Sequence, residues 1–333
     1  MNILILGGTG VISRQVSVCL IRKGHFLVLA NRQIKAVIQG AYNVKLDINE
    51  NLALYRLTDQ IKFDVVIDFL AFEADDVKIR YKIFRGHIKQ YIFISTATVY
   101  GQKLKQLLVN ESFPVGNRYS AYAQNKIKCE QFFLHKWDKE RFPITIIRPS
   151  QTYNDQTVPL GIHGRYGSWQ NILRIKEGKP VIIHEKGDSL WSATRSEDFA
   201  EWLSDILGEE KLLGEVLQLI TDDSMTWKKI YSVVSDELGR RLNAIYLPSK
   251  VIIEYQRNYD FSESLLGDKS RSITFDNSKR KRYSQYNPQI SMEEGIRKAV
   301  RGAINNSRNQ IKDIEFDIWC DKMVFLWKKW CSI

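Results

Sequence analysis

The first 150 residues alternate short apolar runs with amphipathic segments, and this alternation restricts the fold more than any other feature of the sequence. The runs show no alternation with polar residues, which predicts strands buried on both faces of a parallel sheet. The predicted strands lie at 3–6, 26–30, 44–46, 65–69, 91–94 and 144–147. Because the segments between them have helical spacing, the chain predicts a βαβ series and a doubly wound α/β fold.

The pattern changes after Arg148-Pro149, where aromatic residues and glycines become frequent and helices and strands no longer alternate regularly. A predicted helix at 197–207 and a predicted strand at 215–220 could return the chain to the first sheet. We therefore predict a first unit of residues 1–150 joined by 196–221, and a smaller, discontinuous unit of 151–195 and 222–333. A further helix is predicted at 224–238, with Ser224 at its N-cap and Gly239 after its end.

No segment approaches the roughly 20 consecutive apolar residues that a membrane-spanning helix requires. The N-terminus has no basic region before its short apolar run, which predicts a strand rather than a secretion signal. The cysteines show no CxxC pair, and this favours reduced thiols in a cytoplasmic protein over disulfides or a metal site. They are Cys19, Cys129, Cys320 and Cys331.

The chain is basic: 49 lysines and arginines against 38 acidic residues give a net charge of +11. Such a charge is compatible with an anionic partner such as a phosphorylated ligand or a nucleic acid. Basic residues are spread along the sequence, and the one dense run lies at 279–282. We interpret this run as a solvated helix face, and nucleic-acid binding is not expected.

The first predicted strand runs directly into a glycine-rich turn, which an amphipathic helix follows. Gly7 permits the sharp reversal from strand to helix, and Gly10 allows the backbone to approach a pyrophosphate closely. Thr9 lies between them, and the helix N-terminus adds unpaired N–H groups. A third glycine is usual at position 13, where Ser13 is small enough to be tolerated. The turn predicts a dinucleotide-binding site.

The end of the second strand distinguishes between dinucleotides, because a carboxylate there binds the adenosine ribose and repels a 2′-phosphate. Asn31 and Arg32 occupy this place, and a guanidinium can bind a phosphate through two hydrogen bonds. This favours NADP(H) and leaves NAD(H) open. Residues after the third and fourth strands are predicted to line the adenine and the ribose: Asp47, Ile48, Leu70 and Ala71.

Hydroxyl groups cluster where the fifth strand ends, at the edge of the sheet where ligands bind in open α/β folds. Thr96 belongs to this cluster. Tyr122 and Lys126 are four residues apart, so in a helix they share a face and the ammonium can stabilise the phenolate. Tyr246 and Lys250 have the same spacing, but a proline between them excludes a continuous helix. The predicted catalytic residues are therefore Thr96, Tyr122 and Lys126.

The motifs at 7–12 and 95–101, Tyr122 with Lys126, and Arg148-Pro149 together resemble the extended short-chain dehydrogenase/reductase superfamily, in its NAD-dependent epimerase/dehydratase group. The resemblance implies a Rossmann domain followed by a smaller substrate domain, and hydride transfer at a carbon that bears a hydroxyl or keto group. These motifs add four predicted cofactor contacts: Val11, Ile12, Ser95 and Pro149.

The same resemblance implies a role for each predicted catalytic residue. Tyr122 would be the acid/base, Lys126 would bind the nicotinamide ribose, and Thr96 would polarise the substrate oxygen. A homodimer is also implied by the resemblance rather than by the residues.

Departures from the family pattern narrow the range of expected substrates and reactions. Sugar-nucleotide 4,6-dehydratases of this family carry an Asp-Glu pair directly after the hydroxyl residue, whereas this sequence has Ala97-Thr98, so dehydration is disfavoured. Positions that hold an Asn and a phosphate-binding Arg in sugar-nucleotide epimerases are Gln151 and Trp191 here. A diphosphate-sugar would then need Arg165 or Arg195 for its phosphates. The predicted substrate contacts are Thr98, Gln151, Tyr153, Arg165 and Trp191.

We predict a nicotinamide-dependent oxidoreductase that reduces a ketone or oxidises a secondary alcohol of a small molecule. An epimerase that oxidises and re-reduces one carbon while retaining its cofactor is the alternative. A non-catalytic protein that binds the cofactor or RNA is a second alternative. An apolar stripe at 316–330 is predicted to dock onto the fold or onto another subunit rather than onto a membrane.

Overall fold

The computed structural model describes residues 1–33, 37–47, 51–101, 108–255, 258–307 and 310–331. The strands are β1 (Asn2–Leu6), β2 (Phe26–Asn31), β3 (Tyr42–Lys45), β4 (Val65–Asp68), β5 (Gln90–Ile94), β6 (Leu108–Val109), β7 (Ile144–Arg148), β8 (Gln151–Tyr153), β9 (Val181–His184), β10 (Leu190–Trp191), β11 (Ala193–Arg195), β12 (Glu215–Gln218), β13 (Met225–Thr226), β14 (Ala244–Leu247) and β15 (Thr274–Phe275).

The helices are α1 (Val11–Arg22), α2 (Asn51–Gln60), α3 (Ala74–Phe84), α4 (Ala121–Glu140), α5 (Trp169–Lys176), α6 (Ser196–Asp205), α7 (Trp227–Glu237), α8 (Ser249–Glu254), α9 (Ser262–Ser264), α10 (Ser278–Tyr283), α11 (Met292–Asn305) and α12 (Ile314–Cys331). Short 3₁₀ turns lie at Ala97–Tyr100 and Glu210–Leu212, and a π-helical turn lies at Leu265–Lys269.

Within the described residues, seven parallel strands form the central sheet in the order β12-β7-β5-β4-β1-β2-β3. The order reverses at β1, which pairs with β2 on one side and with β4 on the other. This is the doubly wound arrangement that the alternating apolar runs predict, and the α/β fold class is confirmed. The reversal beside β1 opens a crevice at the carboxyl ends of the strands.

Both faces of the sheet are covered, which explains why the strands are apolar without alternation. In β1, Leu4 and Leu6 face the cluster formed with α2, α3 and α4, whereas Ile3 and Ile5 face the cluster formed with α1 and α6. Each residue of the strand is thus buried on one side or the other, and a polar residue in either set would need an internal partner.

Residues between 153 and 303 pack with Val99, Tyr100 and Val109 around a further core that is rich in aromatic residues. The rings of Trp191 and Trp227 lie 5.2 Å apart, among apolar residues of α5, α7 and α11. Four two-stranded pairings stiffen this part within the described residues: β6 with β15, β8 with β11, β9 with β14, and β10 with β13. Strand β12 returns to the central sheet beside β7, while the division of the chain into two units stays a prediction.

Two local predictions need correction. Thr226 rather than Ser224 caps α7, and its hydroxyl accepts a hydrogen bond from the N–H of Lys229 at 3.3 Å. The helix starts later because Met225–Thr226 pairs as a strand with β10. The basic run at 279–282 is not wholly solvated, since Arg280 is buried over the Trp202 ring, 4.1 Å from its centroid.

A buried ion pair joins α4 to the ends of two central strands. Arg148, at the end of β7, donates from Nε and Nη2 to the two carboxylate oxygens of Glu130 at 3.0 and 2.6 Å. Ser95, just after β5, donates to the same carboxylate at 2.5 Å, and Arg148 also donates to the Tyr100 hydroxyl at 2.8 Å. Because every partner is buried, the helix and the two strand ends are held at a fixed distance.

Among the described residues, no helix combines the length and the apolar character needed to cross a bilayer. No group of His, Cys, Asp and Glu side chains suited to a metal ion occurs in that part of the chain either.

Removing the Glu130 carboxylate is expected to destabilise the fold strongly. In Glu130→Ala the buried Arg148 guanidinium loses both acceptor oxygens, and an uncompensated buried charge costs about 3–5 kcal/mol. The control is Lys78→Ala, because the exposed pair of Lys78 with Asp75 should contribute at most about 1 kcal/mol. Urea denaturation measures the free energy of unfolding of both variants. Equal losses in the two variants would contradict the role of the buried pair.

Candidate active site

The turn between β1 and α1 has the backbone geometry of a pyrophosphate cradle. Gly7 has a φ of +88°, which favours glycine, and a Cβ there would lie 2.6 Å from Cγ of Leu70. Gly10 precedes the first residue of α1, and its N–H donates to the Ser13 hydroxyl at 2.8 Å. Ser13 therefore substitutes for the usual third glycine by tightening the turn with its side chain. The first N–H groups of α1 have no partner within the helix and face this turn.

An open cleft of about 940 Å³ lies in front of the turn. It is lined by Gly7, Thr9, Gly10, Val11, Ile12, Ser13, Asn31, Arg32, Gln33, Asp47, Phe69, Leu70 and Thr152. Nine predicted cofactor contacts are thus brought together in one place. Ile48, which was also predicted, lies outside the described residues.

Besides Tyr122 and Lys126, which are described below, three other predicted cofactor contacts take part in the scaffold behind the cleft. The Ala71 carbonyl accepts a hydrogen bond from Lys126 at 2.7 Å. The Ser95 hydroxyl points to Glu130 and not toward the cleft. The Pro149 carbonyl accepts from the N–H of Ala97 at 2.7 Å, which fixes the start of the loop that carries Thr96.

Lys126 is buried on α4 beneath the carboxyl ends of β4 and β5. Its ammonium donates to the carbonyls of Ala71 and Ile94 at 2.7 and 2.8 Å, and it lies 4.6 Å from the centroid of the Phe72 ring. An ammonium has three N–H donors, so one is left for a ligand in the cleft. Burial lowers the pKa of Lys126 to about 8, yet the group is still largely protonated at neutral pH.

Tyr122 lies one turn before Lys126 on the same helix face. The helix begins at Ala121 because the Ser120 hydroxyl accepts a hydrogen bond from the N–H of Ala123 at 3.1 Å. The Tyr122 side chain is 40% exposed, and its ring centroid is 5.9 Å from the Lys126 ammonium. Burial of the hydroxyl end raises its pKa, and hydrogen bonding with the Thr96 hydroxyl offsets part of that effect. The three predicted catalytic side chains are therefore neighbours.

The hydroxyl of Thr96 is linked to a carboxylate from the second unit. Thr96 donates to the Thr98 hydroxyl at 3.1 Å, and Thr98 donates to Oδ2 of Asp268 at 3.2 Å. Asp268 lies in the π-helical turn, and burial raises its pKa, while the charge of Lys269 counteracts the shift. The sequence analysis missed Asp268, because nothing in the local sequence around 268 signals a contact with residue 98.

Glu130 was also missed, although a signal for it exists. Tyr122, Lys126 and Glu130 follow one another at intervals of four, so a polar stripe runs along one face of α4. Polar side chains at helical spacing on the buried face of a helix indicate an internal network. This polar stripe is therefore a sequence signal for Glu130, the residue that pairs with Arg148.

A second cleft of about 360 Å³ meets the first at Thr152. Gln151 and Tyr153 line it, whereas the Tyr153 hydroxyl is turned toward α11 and donates to the Met292 carbonyl at 3.4 Å. Trp191 donates from Nε1 to Oε1 of Gln151 at 2.8 Å. A small recess beside it is lined by Thr98, Gln151, Trp191 and Asp268 among others.

Arg165 and Arg195, the predicted alternatives for binding a diphosphate, are both engaged in ion pairs. Arg165 pairs with Glu315 at 3.0 Å on an exposed surface and stacks on the Tyr259 ring. Arg195 pairs with Asp155 at 3.1 Å. Among the described residues that line the second cleft, none is a lysine, an arginine or an acid.

Comparison with known proteins agrees with the fold. The sequence profile of the NAD dependent epimerase/dehydratase family matches residues 79–217. A curated relative, 2'-dehydrokanamycin reductase of Streptomyces kanamyceticus, is 22% identical over 263 residues, which are 78% of this chain and 73% of that protein.

Two solved structures share the fold. The dTDP-glucose 4,6-dehydratase of Bacillus anthracis in complex with NAD has a TM-score of 0.75 at 18% identity, over 93% of this chain and 98% of that one. The UDP-glucuronic acid 4-epimerase of Bacillus cereus in complex with UDP-glucuronic acid and NAD has a TM-score of 0.72 at 18% identity, over 92% and 99%. Residues 79–217 thus match the NAD dependent epimerase/dehydratase family, and the chain shares the fold of these solved structures.

Proposed function

We propose that the protein is an NAD(P)-dependent reductase that acts on a ketone, or on the secondary alcohol in the reverse direction, with Tyr122 as acid/base. One observation carries the proposal: the Tyr122 hydroxyl adjoins Thr96, and the ring of Tyr122 lies 5.9 Å from the buried Lys126 ammonium. That ammonium donates to the carbonyl of Ala71, the residue after Leu70 in the wall of the cleft in front of the glycine turn. A protein that only binds a cofactor has no chemical need for this set of groups.

Each side chain has a distinct task in this reaction. The bound nicotinamide cofactor supplies or accepts the hydride. Tyr122 gives its proton to the carbonyl oxygen of the substrate as that oxygen gains charge, and takes the proton back in the reverse direction. Lys126 stabilises the resulting phenolate by its charge and holds the ribose with its remaining N–H. On substrate binding, Thr96 turns its single O–H from the Thr98 hydroxyl to the same substrate oxygen and donates a hydrogen bond to it.

NADP(H) is the proposed cofactor, with NAD(H) as the alternative. Arg32 is exposed on the rim of the cleft, and no ion-pair partner for it occurs among the described residues. The relatives with solved structures contain NAD, which supports a nicotinamide dinucleotide but does not distinguish the two forms.

For the substrate we favour a small molecule without a diphosphate. The two candidate arginines are engaged in ion pairs, and Trp191 packs against Trp227 in place of a phosphate-binding arginine. The name of one relative, 2'-dehydrokanamycin reductase, describes the reduction of a substrate that carries no nucleotide. This supports reduction of a substrate without a nucleoside diphosphate group. A cofactor-retaining epimerase is the second candidate, since the Bacillus cereus neighbour is an epimerase with a nucleotide-sugar bound.

The dense basic run at 279–282 gives the RNA-binding alternative little support. Lys279 pairs with Glu215 at 2.6 Å, and Arg280 and Lys281 both pair with Asp222. Two carboxylates thus offset part of the charge of the run and weaken its attraction for phosphates. The free thiols fit a reducing compartment, and we propose the cytoplasm.

Tyr122→Phe is expected to lower kcat by roughly 10²–10⁴-fold, because it removes the proton donor while keeping the ring. Cofactor affinity should change by less than about twofold, since Lys126 and the glycine turn remain. Tyr246→Phe is the matched control: Tyr246 is 41% exposed, is also followed by a lysine four residues later, and should keep full activity. Steady-state rates and cofactor titration measure the effects. Full activity in Tyr122→Phe would disprove the assignment.

Arg32→Ala is expected to weaken NADPH binding by roughly 10–100-fold, as the loss of a charge-assisted hydrogen bond to a phosphate predicts. NADH binding should stay unchanged, because NADH has no 2′-phosphate. Arg56→Ala, an exposed arginine on α2, is the control. Titration by nicotinamide fluorescence measures both affinities. Equal losses for NADPH and NADH would show that Arg32 does not select the cofactor.

A reductase must consume one cofactor molecule per product formed, whereas a cofactor-retaining epimerase consumes none. We expect stoichiometric loss of NADPH absorbance with a ketone substrate such as 2'-dehydrokanamycin, and no change with UDP-glucose or UDP-glucuronic acid. Chromatography of the products provides the second measurement. Conversion of a nucleotide-sugar without net NADPH loss would replace the proposed reductase by the epimerase.

A further inference from the structure

Helix α12 consists of two halves with opposite charge and different packing. In the first half, Asp317 and Asp321 accept hydrogen bonds from the buried Arg174 side chain at 2.6 and 2.7 Å. Glu315 pairs with Arg165. These acids are thus neutralised by the second unit, and they fix the start of the helix on it.

The inner face of α12 is apolar and packed. Phe316, Trp319, Cys320 and Met323 are buried together with the ring of Tyr259. This part agrees with the predicted docking of the stripe onto the fold. The packing reaches only the middle of the helix on this face.

The second half, residues 322–331, presents a different surface. It contains three lysines and no acidic residue. Phe325, Leu326 and Trp330 are 68%, 44% and 64% exposed, although they are large and apolar. With Lys322 and Lys329 they follow the spacing i, i+3, i+4, i+7 and i+8, so they form one continuous outer stripe. No ion pair of Lys322 or Lys329 occurs among the described residues.

A groove of about 460 Å³ runs beside this stripe. Its apolar wall includes Val251, Tyr255, Trp327 and Trp330, and its charged lining residues are Glu254 and Lys329. The groove and the stripe together form a contiguous apolar surface, in which Lys322 and Lys329 stand against the single acid Glu254. Such a surface is uncommon in a protein that is fully solvated.

A second copy of the chain is a poor occupant for this surface. A two-fold contact would bring Lys322 and Lys329 of both copies to one interface. Residues 322–331 contain no acid, and the groove adds only Glu254, so four lysines against two glutamates would oppose association.

An anionic bilayer satisfies both parts of the surface. Aromatic and aliphatic side chains enter the boundary between headgroups and acyl chains, and lysine stems lie along that boundary with the ammonium at the phosphates. The net charge of +11 attracts the whole protein to such a membrane.

We propose that residues 322–331 of α12 form a membrane-surface anchor, in which Phe325, Leu326 and Trp330 insert between the headgroups of an anionic bilayer and Lys322 and Lys329 contact lipid phosphates. For residues 322–331 this replaces the prediction from the sequence, which placed the stripe on the fold or on another subunit rather than on a membrane. The helix lies on the membrane and does not cross it. The anchor does not depend on the reaction proposed for the active site.

Sedimentation of the full-length protein with vesicles tests the proposal. Vesicles of equal parts phosphatidylglycerol and phosphatidylcholine should bind the protein at least tenfold more tightly than vesicles of phosphatidylcholine alone. Raising NaCl from about 50 to about 300 mM should weaken the binding severalfold, because surface charges are screened.

Two double variants separate the charge from the apolar contribution. Lys322→Glu with Lys329→Glu, and separately Phe325→Ser with Trp330→Ser, should each lower the affinity for anionic vesicles at least tenfold. The matched control, Lys128→Glu with Lys139→Glu, makes the same charge change at two exposed positions of α4 and should lower it less than threefold. Thermal melts and cofactor titration verify that each variant is folded.

The proposal is overturned by absence of binding to either vesicle, by equal binding to both, or by equal loss in the control variant. Analytical ultracentrifugation tests whether a second copy of the chain binds the stripe instead. If the protein is a dimer and the double variant Phe325→Ser with Trp330→Ser is a monomer, the stripe is a dimer interface and not a membrane anchor.

Discussion

The candidate active site depends on the buried ion pair between Glu130 and Arg148. A carboxylate and a guanidinium taken out of water are costly unless their donors and acceptors are all satisfied. Here the carboxylate accepts from Arg148 and from Ser95, and the guanidinium also reaches the Tyr100 hydroxyl. The fully satisfied pair ties α4 to the ends of β5 and β7. Since α4 carries Tyr122 and the loop after β5 carries Thr96, the pair fixes the distance between the two hydroxyls.

Much of this arrangement follows from local sequence. The apolar runs determine the central strands, the glycines determine the cradle, and the spacing of Tyr122 and Lys126 places them on one helix face. These features depend on residues within a few positions of one another. The bounds of α7 were predicted less well, because a two-residue strand pairing with β10 competes with the helix start at Ser224.

The substrate side of the site could not be predicted in the same way. The contact of Asp268 with Thr98 joins residues 170 positions apart. The pairing of Arg165 with Glu315 joins the segment between β8 and α5 to α12, and it removes a cation that composition alone would assign to a ligand. Contacts of this kind result from the packing of segments that are far apart in the chain, and no periodicity or turn residue in the sequence encodes them.

The protonation states in the free protein favour one direction of the proposed reaction. Burial raises the pKa of Tyr122 above that of an ordinary phenol, so its proton is in place at neutral pH. Lys126, with its pKa lowered to about 8, keeps most of its charge at neutral pH and loses it as the pH rises above 8. A protonated phenol beside a cation is ready to give a proton to a carbonyl oxygen, because the cation stabilises the phenolate that remains. Oxidation of an alcohol needs the phenolate first, and the positive charge of an oxidised nicotinamide would have to help form it. The proposed reduction would therefore start from the protonation states that the free protein already has.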